Sequence, residues 1–92
     1  MMAVVARHLR ITGHVQGVAY RAWTRGRAEQ LGVAGWVRNE EVGSVEAHLE
    51  GPEDAVEALV TECWSGPGPA EVRDVQSTKV DPEGLTGFEI RR

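Results

Sequence analysis

The chain has a single cysteine, Cys63, and a lone thiol closes no internal disulfide. It also lacks a leader-like start, because Met1 to Val5 is followed at once by Arg7, His8 and Arg10. Together these point to a reducing, cytoplasmic setting. No apolar run approaches the roughly 18–20 residues of a membrane span, so no membrane partner is expected. Basic side chains are in deficit, 10 against 14 acidic ones, and a net charge of −4 provides no general attraction to nucleic acid or anionic lipid. Any anion site must therefore be local. Also missing are a Walker-type lysine motif, a metal-spaced His/Asp cluster and a paired nucleophile and base. There is no repeat, linker or low-complexity tail, and 92 residues make one domain, 1–92. A chain of that size can bury about 60–65% of its unfolded surface.

What is present centres on Gly13-His14-Val15-Gln16-Gly17-Val18-Ala19-Tyr20-Arg21. This stretch joins a strand-like run to a helix-like run through a loop containing glycine. Glycine permits a sharp turn and a close backbone approach, and the first N–H groups of a helix are unpaired and partly positive. A phosphate fits such a place, and Arg21 can fork onto two of its oxygens.

Around that loop the periodicity is readable. Val5, Leu9, Ile11 and Val15 share one face of a strand that His8, Arg10 and Thr12 oppose, with Arg7 as a blemish. Tyr20, Trp23, Ala28 and Leu31 recur at helical spacing over 20–31, and Gly32 supplies a stop, although Gly26 costs about 1 kcal/mol against alanine. Residues 33–39 read as a strand and 40–43 as a hairpin turn. Val45, Ala47 and Leu49 alternate with Glu46, His48 and Glu50, which predicts a strand with one wet face. Gly51-Pro52 opens a second helix whose buried stripe is Val56, Leu59, Val60 and Cys63. Residues 65–69 form a loop, 72–80 a strand with a bulge, and 88–90 a short edge strand. The order βαββαβ predicts an α+β, ferredoxin-like two-layer sandwich, an antiparallel sheet with two helices on one face.

The chain resembles the acylphosphatase family. The resemblance lies in the nine-residue loop above, in Gly35-Trp36-Val37-Arg38-Asn39, in Gly43-Ser44-Val45-Glu46 followed by Glu50-Gly51-Pro52, and in Gly87-Phe88-Glu89-Ile90. It covers essentially the whole chain, in the family's order and spacing. It implies a phosphate-binding loop built from backbone N–H groups of Val15, Gln16, Gly17, Val18, Ala19 and Tyr20 together with the Arg21 side chain. It further implies that Asn39 holds the attacking water. The implied activity is hydrolysis of an acyl phosphate to carboxylate and inorganic phosphate by direct water attack, without metal or cofactor. Such an enzyme is expected as a cytoplasmic monomer whose partners are small acyl phosphates and inorganic phosphate, the product and inhibitor. Two departures stand out: Val42 where many members carry Asp before the hairpin glycine, and the helical Gly26.

The chemistry accounts for what is missing. A carboxylate with a pKa near 4–5 leaves without a proton, so a general acid is dispensable. Phosphoryl transfer asks chiefly for positioning and charge stabilisation. The remaining candidates have plainer expected roles. His8 and His48 can face each other across two strands but make a weak metal site. His14 faces solvent, Cys63 is a small inert core residue, and Trp23 and Trp36 are core aromatics. A nucleic-acid binder on this fold would want sheet-face aromatics and a basic surface. A non-catalytic acyl-phosphate or anion-binding module, or an acylphosphatase-like domain of a hydrogenase-maturation carbamoyltransferase, is the alternative; retention of both Arg21 and Asn39 favours the enzyme.

Overall fold

A computed structural model describes residues 3–92. The elements are β1 (Val4–His14), α1 (Tyr20–Leu31), β2 (Ala34–Asn39), β3 (Val45–Pro52), α2 (Glu53–Cys63), β4 (Glu71–Val80) and β5 (Phe88–Arg91). They build one five-stranded sheet in the order β4-β1-β3-β2-β5. Helix α1 lies against β2 and β5, and α2 against β1, β3 and β4. The ferredoxin-like sandwich is therefore present, with one correction. β5 pairs in parallel with β2, so the sheet is mixed and not wholly antiparallel. The cause is the connection 81–87: β4 ends beside Ala6 at one end of the sheet, and the chain crosses to start β5 beside Gly35 at that same end.

Alternation in the strands decides the core. Leu9, Ile11, Val37, Val45, Ala47 and Leu49 point to the helices and are fully buried against Ala28, Val56, Leu59 and Cys63. Each such aliphatic side chain contributes about 1.5–3 kcal/mol by leaving water. Arg7 shares this inward phase, and its guanidinium reaches Glu57 on α2 at 2.9 Å, which resolves the apparent break in the pattern. Thr24 completes the buried face of α1 by donating its hydroxyl to the Tyr20 carbonyl at 2.8 Å. At the bulge expected in β4, the register with β1 shifts between Thr12 and Gly13. A β-carbon on Gly13 would sit 2.2 Å from the Glu71 carbonyl oxygen, so only glycine lets the strands approach there.

The outer face of β3 is not wet. His48 and Glu50 are 3% and 2% exposed, because segment 81–87 covers them. Glu50 accepts hydrogen bonds from His48 Nε2 at 2.8 Å and from the backbone N–H groups of Glu83 and Leu85 at 2.6 and 2.5 Å. Trp36 is buried on this same outer face and not in the helix-side core; it stacks on His48 and lies beneath Arg91 and Arg38. Pro52 likewise ends β3 and caps α2 instead of lying in its first turn, so strand runs into helix without a loop.

Candidate active site

The loop between β1 and α1 needs two left-handed residues, Gly17 at φ 74° and Ala19 at φ 63°. Alanine in that region costs about 1–2 kcal/mol, strain of the kind that collects at functional sites. Ala19 is also the N-cap of α1, and it supplies no side-chain hydrogen bond to the open amides. Nor is there an acidic residue in the first turn to meet the positive end of the helix. Instead that turn carries Arg21. A cation at the positive end of an uncapped helix is misplaced unless an anion joins it. Among the described residues no carboxylate pairs with Arg21, whereas Arg7, Arg10, Arg27 and Arg38 all have one.

Other contacts fix the loop in place. Tyr20 donates its hydroxyl to the Cys63 carbonyl at 2.6 Å, tying the start of α1 to the end of α2, and burial raises its pKa far above the ordinary value. Gln16 Nε2 donates to the carbonyls of Glu40 and Ser44, each at 2.8 Å. Asn39 ends β2 opposite Val45, in the phase that faces the helices, and is half-buried.

A cavity of about 210 Å³ brings these together: Val15, Gly17, Ala19, Tyr20 and Arg21 line it from the loop side, Asn39 from β2 and Ile90 from β5. Of the expected phosphate-binding residues, Val18 turns its side chain into the core and Gln16 turns its own to the hairpin; only backbone groups were expected of either. Ile90 was not expected, since its register beside β2 depends on a parallel pairing that no local pattern announces. A larger groove of about 570 Å³, lined by Arg10, Thr12, Glu40, Ser44 and Arg73, contains neither Arg21 nor Asn39. Its lining includes the Glu40 carboxylate, which holds Arg10 at 3.1 Å, and no helix start, whereas the smaller cavity joins Arg21 to the uncapped start of α1 and is the better anion site.

The remaining titratable residues lie elsewhere. His8 and His48 do stand opposite each other, but each meets a carboxylate, Glu46 at 2.6 Å and Glu50 at 2.8 Å. Burial pushes Glu46 upward, yet hydrogen bonds from His8 and Arg38 outweigh it and hold its pKa below the usual range. Among the described residues no three His, Cys, Asp or Glu side chains converge as a metal-binding group. His14 is exposed at the end of β1, and Cys63 is buried with its thiol pushed up to about 12.

Residues 7–90 match the family model described as Acylphosphatase. The chain is 52% identical over 90 residues to an acylphosphatase of Haloarcula marismortui, covering 98% of this chain and 99% of that one. The chain belongs to the acylphosphatase family. As an acylphosphatase it is an enzyme, and the alternative of a non-catalytic module is not favoured. Its fold agrees: an acylphosphatase from Coxiella burnetii superposes with a TM-score of 0.93 at 34% identity, over 96% of this chain and 93% of that one. The crystal structure of acylphosphatase from Bacillus subtilis gives 0.93 at 32% identity, over 96% and 99%.

Proposed function

We propose that this acylphosphatase works without a metal or cofactor, by direct attack of one oriented water on phosphorus. The phosphoryl oxygens sit among the backbone N–H groups from Val15 to Tyr20 and on the Arg21 fork. Asn39, across the cavity, holds the water by its side-chain amide. As the water oxygen bonds to phosphorus, the bond from phosphorus to the acyl oxygen breaks. The electron pair leaves on the carboxylate and the water protons stay with phosphate. No general acid is needed, because the leaving group is already a weak base. Preorganised donors facing the developing charge each contribute about 10²–10³ in rate. In this reading the domain acts as a cytoplasmic monomer on small acyl phosphates, with inorganic phosphate as product and inhibitor and without nucleic acid or membrane.

The observation that carries the proposal is Arg21, a cation with no carboxylate partner among the described residues, at an uncapped helix start and opposite Asn39 in one cavity. The test separates the two residues. Arg21→Ala should weaken both turnover and phosphate inhibition, and lysine should rescue poorly because a point charge lacks the planar fork. Asn39→Ala should lower kcat about 10²-fold while leaving phosphate inhibition nearly intact. A folded Arg21→Ala protein with parental rate and affinity would refute the assignment.

A further inference from the structure

The Gln16 side chain makes a contact that the proposed chemistry does not use. Its amide nitrogen reaches the Glu40 and Ser44 carbonyls, each at 2.8 Å. Both partners are acceptors only, so the nitrogen and not the oxygen must occupy that position. Each carbonyl is already engaged within the hairpin: Gly43 N–H donates to Glu40 O at 3.0 Å and Glu40 N–H to Ser44 O at 2.8 Å. Gln16 thus takes the second lone pair of both and locks onto a turn that is internally closed. Glu40 directly follows Asn39, while Val15 and Gly17, which flank Gln16, line the cavity opposite Asn39.

We infer that Gln16 is a positioning residue: its side chain bolts the phosphate loop to the end of β2 and so sets the distance between the bound phosphoryl group and the water held by Asn39. The inference rests on the roles proposed above for the loop and for Asn39. Those two parts come from separate elements, and loop and strand share no backbone ladder. Two donors from one planar amide fix both distance and orientation, which one hydrogen bond would not. An error of about an ångström in such a placement costs about 10²-fold in rate.

The test uses Gln16→Met, which keeps length and volume but donates nothing, and Gln16→Asn, which donates but is one methylene too short to reach both carbonyls. Both should lower kcat about 10- to 100-fold and change inhibition by inorganic phosphate less than about twofold, since the cradle and Arg21 are untouched. Placing each change in an Asn39→Ala background decides the mechanism: once the water is already lost, the Gln16 change should cost nothing further. Parental kcat in a folded Gln16 variant would overturn the inference, as would phosphate affinity falling in step with kcat. A Gln16 loss undiminished beside a damaging Asn39→Ala would overturn it while leaving the role of Asn39 standing. Parental kcat in Asn39→Ala alone would remove that role and the inference with it.

Discussion

Glu50→Gln exchanges one oxygen for an amide nitrogen, and its cost follows from what the carboxylate does. The Glu50 side chain is 3% exposed and accepts from His48, Glu83 N–H and Leu85 N–H. Glutamine keeps the shape but turns one acceptor into a donor, so in either amide orientation a buried N–H loses its partner, a cost of about 1–3 kcal/mol. The surviving bonds become neutral and each weakens by about 1 kcal/mol. The sum is about 2–5 kcal/mol, and at about 4–8 °C per kcal/mol for a domain this size the melting temperature should fall by at least about 8 °C. Thermal unfolding followed by circular dichroism at neutral pH measures it. Burial pushes the Glu50 pKa upward, but the hydrogen bonds from His48, Glu83 and Leu85 outweigh it and hold it below the ordinary value. A depressed folded pKa gives stability that is complete above the unfolded value near 4.3 and is lost as pH falls through the folded one. The gap between parent and variant should therefore narrow as pH falls below the ordinary glutamate range. Glu50 lies five residues along β3 from the row of Asn39, about 17 Å, so kcat of the folded protein should hold. A melting temperature within about 3 °C of the parent, or a gap as wide in acid as at neutrality, would refute the reasoning.

Gly26→Ala should stabilise the protein by about 0.5–1 kcal/mol, because an added β-carbon meets no atom within 4 Å on this exposed helical position; a lower melting temperature would contradict it. Cys63 should resist thiol reagents in the native protein at mildly alkaline pH, its thiol being buried and pushed up to about 12, and should react once the chain is unfolded; stoichiometric labelling of native protein would be the contrary result. Among substituted benzoyl phosphates, rates should fall as leaving-group pKa rises, with an alkyl phosphate slower by at least about 10²–10⁴-fold and excess chelator without effect. Comparable alkyl phosphate hydrolysis would mean a missed catalytic acid, and inhibition by chelator a missed metal.

Arg21 and the loop before it were legible because their signal is local: a glycine, a strand ending and a helix starting within nine residues. The second residue of the proposed site, Asn39, was legible only through the family resemblance, since a strand-end asparagine by itself reads as a turn former. His48 and Glu50 were misread for a physical reason. Period-two alternation reports which residues share a face, and assigning that face to water assumes that nothing covers it. Here residues 81–87, more than thirty positions away, supply the cover through backbone N–H groups that any sequence possesses. The same limit hid Ile90 behind a parallel pairing and the Gln16 contact with the hairpin, both of which join distant segments. Arg7 is the converse case: its partner Glu57 occupies the exposed side of α2, and only the packing of helix on sheet brings the two together.

Helix α1 has few reasons of its own to be a helix. It is 12 residues long, carries a glycine inside, has no side chain over its first amides, no acid in its first turn and no base in its last. A segment of that kind barely forms alone and persists through what it packs against. An oxyanion bound at its start would therefore do two things at once, occupying the site and completing the secondary structure. Ligand occupancy and folding then become a single linked equilibrium, in which a hundredfold excess over the dissociation constant contributes about 2.7 kcal/mol to the folded state. In an acylphosphatase whose product is itself an oxyanion, ordinary turnover would keep supplying the cap that the sequence omits.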